Sequence, residues 1–482
     1  MKNLQCCGKY ADMVKGFGKV VAAALVGLVF APAAMASLSS RINAIVNDKS
    51  QKAARFTIKI VDAGSGKPIY TRNSDTLMVP ASNMKIVTSA AALHYLGTDY
   101  QFVTRVGLIG ETLVIMGGGD PLLGDPQTDQ KNGKIGGWIF DDIVKALQEN
   151  KQTRLREIII DRYFFDSNRV CPNWPVEQLN QSYACEVSGL NYNNNCVRIS
   201  VRKSGGRAIV AVDPATRYID LLNEVTVTSK GNNVIGAYRS AQPNKLKIVG
   251  RVCDESGASA DVAIEAPATF FGVLLAEHLA RSGIEIPSQI VHKYVRNNKH
   301  IRIIREYATP LSDVLARCNK DSLNLAAEVF VKTISAEHTD GRINGEWPHG
   351  QVLVGRYLRS LGIADDEFIL DDGSGLSRQN RLTANALTRV LLEIYHSDNW
   401  PLFRDSLAAG GVDGTVAKYF RSDKYRGKVI GKTGYIDGVR TFSGVCATAA
   451  GDVIFSILTS GGTAATRAAI NSIAEAIIDE LG

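Results

Sequence analysis

The two ends of this chain carry complementary parts of one structure, and that restricts its fold more than any other feature. Residues 55–73, RFTIKIVDAGSGKPIYTRN, read as two strands, with Gly64-Ser65-Gly66 supplying the positive φ of a hairpin turn. Residues 427–460, GKVIGKTGYIDGVRTFSGVCATAAGDVIFSILTS, read as three consecutive strands with turns near Ile436-Asp437-Gly438 and Ala450-Gly451-Asp452. SSRINAIVND has the spacing of a short amphipathic helix, and the closing ATRAAINSIAEAIIDELG has helical apolar spacing and a glycine stop. The expectation is one α/β (α+β) domain, an antiparallel sheet flanked by helices, split in sequence.

The stretch between has another texture. Alternating runs such as CVRISVRK, RAIVAV, EVTVTS, KLKIVGRV and DVAIEA are interrupted by two helical pieces, FDDIVKALQEN and ATFFGVLLAEHLARSG. The expected division is therefore residues 37–105 and 301–482 for the split domain, with 106–300 a β-rich insertion of two subdomains. From about 301 the pattern turns helical again, as in PLSDVLARCN, LNLAAEVFVKTIS, GQVLVGRYLRSLG and TANALTRVLLEIYHS.

Residues 1–36 read as a signal peptide. Lys2, Lys9, Lys15 and Lys19 precede the apolar VVAAALVGLVF and an Ala34-Met35-Ala36 cleavage site. A membrane anchor would need about 20 apolar residues, but this run stops at Pro32. The mature protein is expected in the periplasm, with at most peripheral membrane association. The formal charge of +7 includes that leader, and the remaining basic residues are scattered, so no nucleic-acid footprint is read. Six cysteines follow the leader. Three of them, Cys171, Cys185 and Cys196, are close enough in sequence for a local disulfide staple in an oxidising compartment. No C-x-x-C pair and no histidine cluster occurs, so neither a metal nor another cofactor is expected.

The chemistry starts at VPASNMKIVTSAAAL, where Ser82 and Lys85 are three residues apart on a helical run. Such positions share a face, with Cβ atoms roughly 5–6 Å apart. A serine hydroxyl attacks well only if a neighbouring base takes its proton, and a lysine serves as that base only when its pKa is depressed. The plainer reading is Ser82 as an N-cap with Lys85 in water. A second Ser-x-x-Lys, Ser200 to Lys203, lies in a strand, where residues three apart face opposite ways. A second cation across the site would depress the first lysine and attract an anionic substrate end. Lys432-Thr433-Gly434, in the first of the late strands, fits that need: Thr433 offers a hydroxyl and Gly434 lets substrate backbone approach. Lys203-Ser204-Gly205 is better explained as a turn. For a Ser-x-Asn element there are two candidates, Ser322-Leu323-Asn324 at a loop-to-helix junction and Ser397-Asp398-Asn399 at a helix end, and local pattern does not choose between them.

Taken in order, Ser82-x-x-Lys85, Ser322-x-Asn324 and Lys432-Thr433-Gly434 resemble the three motifs of the penicillin-recognising serine enzymes. GGGDPLL at 117–123, DDGSGLSRQNRLT at 371–383 and the long insertion narrow the resemblance. It is to the D-alanyl-D-alanine carboxypeptidase/endopeptidase family typified by penicillin-binding protein 4, the low-molecular-mass class C type, whose fold is the serine transpeptidase/β-lactamase-like domain. The family pattern chooses Ser322 over Ser397.

The resemblance implies the following roles. Ser82 attacks the penultimate D-Ala carbonyl with Lys85 as general base. Ser322 relays the proton to the departing amine, and Asn324 holds Lys85 and the substrate amide. Lys432 and Thr433, beside Gly434, bind the terminal carboxylate, and the N–H groups of Ser82 and Tyr435 form the oxyanion hole. Arg378 is a further candidate for substrate contact. Asn193, Asn194 and Asn195 read as a turn, with reach into the cleft from the insertion as the alternative, and Asp120 as structural. The implied partners are peptidoglycan peptides and, as inhibitors, β-lactams, with a homodimer left open. Two rival readings are a β-lactamase and a non-catalytic envelope protein that binds peptidoglycan. The β-lactamase deacylation motif has only a near miss, Val176-Glu177-Gln178-Leu179-Asn180, with valine at the base position.

Overall fold

The computed structural model describes residues 32–286, 289–339 and 344–482. Residues 1–31 of the expected signal peptide lie outside these. The described chain opens with helix α1 (Pro32–Val46). Strands β1 (Arg55–Asp62) and β2 (Pro68–Arg72) follow, then helix α2 (Met84–Leu96). The late strands are β3 (Val429–Ile436), β4 (Val439–Thr448) and β5 (Gly451–Ser460). They join the early pair in one six-stranded sheet, ordered from a short strand Ala408–Ala409 through β3, β4, β5 and β1 to β2, every pairing antiparallel. Arg55 of β1 lies opposite Ser460 of β5, so the split halves meet at the centre of the sheet.

The central strands are buried on both faces, which explains their near-continuous apolar runs. Val453, Phe455 and Ile457 of β5 pack with Leu38 and Ile42 of α1 and with Ile470, Ile473 and Ile477 of the last helix (Ala464–Leu481). The alternate residues Ile454 and Leu458 pack on the other face with Ile86 and Val87 of α2. That second core includes helix α3 (Asn324–Glu337) and the helices Trp347–Ser360 and Ala384–Tyr395. Helix α2 is buried on all sides from Met84 to Leu93. Full burial of side chains such as Ile86 contributes about 1.5–3 kcal/mol each.

The excursion between the halves contains a mixed five-stranded sheet and two three-stranded sheets. Its core gathers on the helices Trp138–Glu149 and Pro267–Arg281. Its first and last strands in sequence, Gln101–Ile109 and the sheet-edge strand Arg302–Pro310, pair with each other, Gln101 opposite Pro310. The sheet therefore begins before residue 105, and the chain past 301 runs first as a strand, not a helix. That strand escapes sequence reading because it is an edge with only Tyr307 buried, so it shows no apolar face. Among the described residues no helix is long and apolar enough to cross a membrane.

Candidate active site

Ser82 sits in a single 3₁₀ turn, Ala81–Asn83, that leads into α2. Ala81 has φ +46°, a left-handed conformation that strains a residue with a Cβ by about 1–3 kcal/mol. The surroundings hold it there. Thr441 Oγ1 donates to Pro80 O at 3.0 Å, and Gly375, itself at φ +82°, presses against the Ala81 carbonyl. A Cβ on Gly375 would fall inside that oxygen. Asn83 hydrogen-bonds Ser443 Oγ at 2.7 Å. With its amide oriented to satisfy both ends, it donates to Lys432 O at 2.7 Å, tying the serine turn to β3. Asn83, and not Ser82, is the cap residue of α2, and it makes no side-chain cap bond. The plain N-cap reading of Ser82 therefore fails.

Lys85 is wholly buried. Its Nζ lies 3.1 Å from Ser82 Oγ, 2.6 Å from Asn324 Oδ1 and 2.9 Å from Ser374 O. Those three partners match an amine well. In the neutral form, two N–H groups serve the two carbonyl oxygens and the lone pair is left for the serine proton. Burial pulls the Lys85 pKa down to about 8 against the attraction of Cys318, Glu328 and Asp372. Lys432 is equally buried and donates to Thr433 O at 2.9 Å. Burial first, then repulsion from Lys85, carries its pKa well below the usual lysine value. Burial does most of the work at Lys85, and the mutual repulsion is felt mainly at Lys432.

Ser322 has φ +62°, a second strained position, just ahead of α3. The cap residue of α3 is Leu323, so Ser322 is not an N-cap either. Asn324 turns its Nδ2 to Tyr183 O at 2.7 Å. In β3, Gly434 has a different use from the one expected: a Cβ there would strike Thr441 Oγ1 and come within 3.0 Å of Pro80 O and Ser82 N. The glycine lets the Ser82 turn lie on the strand. Thr433 Oγ1 donates to Thr415 Oγ1 at 2.8 Å and borders a hollow of about 380 Å³ lined also by Lys418, Arg440 and Arg467. None of those three cations makes an ion pair among the described residues. Arg467 donates to Gly434 O at 3.0 Å and Thr441 O at 3.3 Å. Tyr435 is 63% exposed beneath the Arg440 guanidinium.

Ser82, Ser322, Asn324, Arg378 and Tyr435 line one cleft of about 400 Å³. Arg378 Nη2 donates to Asp437 O at 2.7 Å, joining the 374–378 turn to the β3–β4 turn. Sequence reasoning missed the other side of the cleft, where Pro175, Gln178 and Tyr183 come from the excursion. It also missed Asn83 and the Ser374 carbonyl. The spacing Ser-Asn-x-Lys was a signal for Asn83; nothing in a sequence marks a carbonyl.

The remaining candidates do not line this cleft, although Asn193 and Asn194 share a neighbouring hollow of about 420 Å³ with Ser322 and Asn324. Asn193, Asn194 and Asn195 are consecutive left-handed residues bonded to Cys196 O, Asp125 and Glu186 O, a turn. Asp120 accepts from Leu122 N and Thr309 Oγ1. Lys203 donates to Thr228 O, and Ser397 Oγ to Ile394 O. All six cysteines after the leader are free thiols, so the expected staple is absent. Cys171 turns its Sγ toward Asp371 O at 3.6 Å. Among the described residues no cluster of three or more His, Cys, Asp or Glu suits a metal.

A cleft-facing serine on a buried lysine, beside an antiparallel sheet between helical layers, is the arrangement of the penicillin-recognising serine hydrolase fold. The chain belongs to the D-Ala-D-Ala carboxypeptidase 3 (S13) family, which matches residues 38–479. It is 29% identical over 454 residues to a D-alanyl-D-alanine carboxypeptidase of Actinomadura sp. (strain R39), covering 89% of this chain and 82% of that protein. The fold is similar to the crystal structure of penicillin binding protein 4 from Haemophilus influenzae, with TM-score 0.75, 20% identity, and coverage of 93% of this chain and 99% of that one. The same Haemophilus protein in complex with a β-lactam gives TM-score 0.71, at 20% identity over 92% of this chain and 98% of that one.

Proposed function

We propose that this member of the S13 family is a serine D-alanyl-D-alanine carboxypeptidase and endopeptidase of peptidoglycan stem peptides in the periplasm, working through an acyl-enzyme on Ser82. The observation that carries the reading is the Lys85 amine, dry and held by two carbonyl oxygens with Ser82 Oγ as its third neighbour. Ser82 Oγ bonds to the carbonyl carbon of the penultimate D-Ala as its proton passes to Lys85 Nζ. The N–H groups of Ser82 and Tyr435 receive the oxyanion. Collapse breaks the C–N bond, Ser322 hands a proton to the leaving amine, and Lys85 restores it to Ser322. Water then attacks the ester, giving its proton to Lys85, and the acid leaves with Ser82 re-protonated.

The terminal carboxylate is received at Thr433, beside the three unpaired cations of the hollow. The excursion serves as an insertion domain that completes the cleft with Pro175, Gln178 and Tyr183. The test is labelling of purified protein with a fluorescent penicillin, wild type beside Ser82→Ala, followed by D-Ala release from a pentapeptide. Loss of both signals in Ser82→Ala is expected; labelling that survives overturns the nucleophile.

A further inference from the structure

Helix α3 presents three polar residues at successive i+4 positions, the half-buried Asn324 and the buried Glu328 and Lys332. Asn324 holds the Lys85 amine. Lys332 Nζ reaches out to Asp166 at 2.6 Å and Asn168 O at 2.7 Å in the excursion, beneath the Trp347 ring. Glu328, between them, is fully buried and has no part in the chemistry above. Its Oε1 accepts from Ser374 N at 2.8 Å, and its Oε2 accepts from Gly373 N at 2.9 Å and Trp347 Nε1 at 2.8 Å. The residue whose N–H it grips is the one whose carbonyl grips Lys85.

We infer that Glu328 is the positioning residue of the base: it fixes the 372–375 turn, and through Ser374 it fixes the Lys85 amine against Ser82. The inference rests on Lys85 as the base. Asp372 secures the same turn from the other side, accepting from Gly375 N, Ser377 N, Asn380 Nδ2 and Trp174 Nε1 at 2.6–2.9 Å. Thr88 Oγ1, one turn along α2 from Lys85, donates to Gly373 O at 2.7 Å. Three N–H groups converge on the Glu328 carboxylate, so an amide would put its NH₂ against a donor. Placing two buried carboxylates side by side has a cost: burial and then the charge of Asp372 raise the Glu328 pKa to about 7, and burial raises that of Asp372. The groups whose charges couple to Glu328 are Asp372, Lys85, Lys332 and the thiols of Cys171, Cys185 and Cys318. Its negative charge raises the Lys85 pKa against burial.

The test measures acylation by fluorescent penicillin per folded molecule, from pH 5.5 to 9.5, for wild type, Glu328→Gln, Glu328→Asp and Trp347→Phe. Glu328→Gln is expected to lower the plateau rate by about tenfold or more, as misplaced catalytic groups do. Its rising limb moves to lower pH, because a charge that raised the Lys85 pKa is gone. Glu328→Asp keeps the charge and loses the reach, so its plateau falls while its limb stays; it carries the test alone if the glutamine variant does not fold. Trp347→Phe removes one donor and leaves the turn's bonds, so its rate stays within about twofold of wild type. Folded Glu328→Gln or Glu328→Asp with the wild-type plateau overturns the inference, as does a loss explained wholly by the unfolded fraction. A wild type that takes no label fails the functional reading; a labelled wild type with unimpaired Glu328 variants fails only this one.

Discussion

Lys85 on α2 and Asn324 at the start of α3 meet at 2.6 Å, joining two of the three sequence motifs through one hydrogen bond. With Ser374 O, that bond leaves the amine one direction in which to act, toward Ser82 Oγ.

The first prediction is a pH limb. Lys85 accepts a proton only when neutral, and its pKa is lowered to about 8, so the acylation rate rises with pH and levels above about 8. Stopped-flow acylation across pH checks it. Lys85→Ala should remove the limb together with nearly all of the rate.

Asn324→Ala removes one of the amine's two carbonyl anchors and also its bond to Tyr183 O. Acylation should fall about 10²-fold, the scale of a misaligned catalytic group. The same labelling assay reads this out.

Gly375→Ala forces a Cβ into the Ala81 carbonyl at a residue with φ +82°. The nucleophile turn must move or the fold must loosen. Denaturant titration should show a loss of about 2 kcal/mol or more, among the larger single-residue effects. Gly434→Ala strikes the same turn from the strand side and should cost relatively more acylation than stability.

Arg467→Gln removes a half-buried cation without an acidic partner from the hollow beside Thr433, and with it two bonds to β3 and β4 carbonyls. KM for a peptide ending in a free carboxylate should rise about tenfold, whereas an amidated peptide should lose little. The effect should shrink as salt rises, because partly exposed charges are screened.

The penicilloyl ester on Ser82 should persist. Asp437 is the sole acidic residue lining the cleft among the described residues, and it belongs to the β3–β4 turn, where its carbonyl is taken by Arg378. Intact-mass measurement of the penicillin adduct over time checks this; release within seconds would reverse the reading in favour of a β-lactamase.

Much of this was legible because chemistry dictates residue type. What serine chemistry asks of residue type pointed to Ser82, Lys85 and Lys432, the family pattern added Ser322 and Asn324, and the strands of the split sheet announce themselves through apolar runs. Other parts had no such mark. Ser374 acts through its backbone, which any residue provides. Ala81 and Ser322 adopt strained conformations where glycine would be the natural guess, so no glycine points to them. Gln178 and Tyr183 lie about a hundred residues or more from their cleft neighbours in sequence, and tertiary bonds such as Trp174 Nε1 to Asp372 and Asn324 Nδ2 to Tyr183 O bring that segment across.

The placement of β1 against β5 has a consequence for the life of the chain before it is folded. During synthesis β1 emerges early, but its partner strand, with Ser460 opposite Arg55, follows only about 400 residues later. Contacts so distant in sequence are slow to form, because a long loop must close before they are gained. Until then the growing polypeptide has a serine and a lysine but no edge strand to dock them on, and hence no hydrolytic power. The serine turn and the early strands thus wait on the late strands before the cleft exists at all.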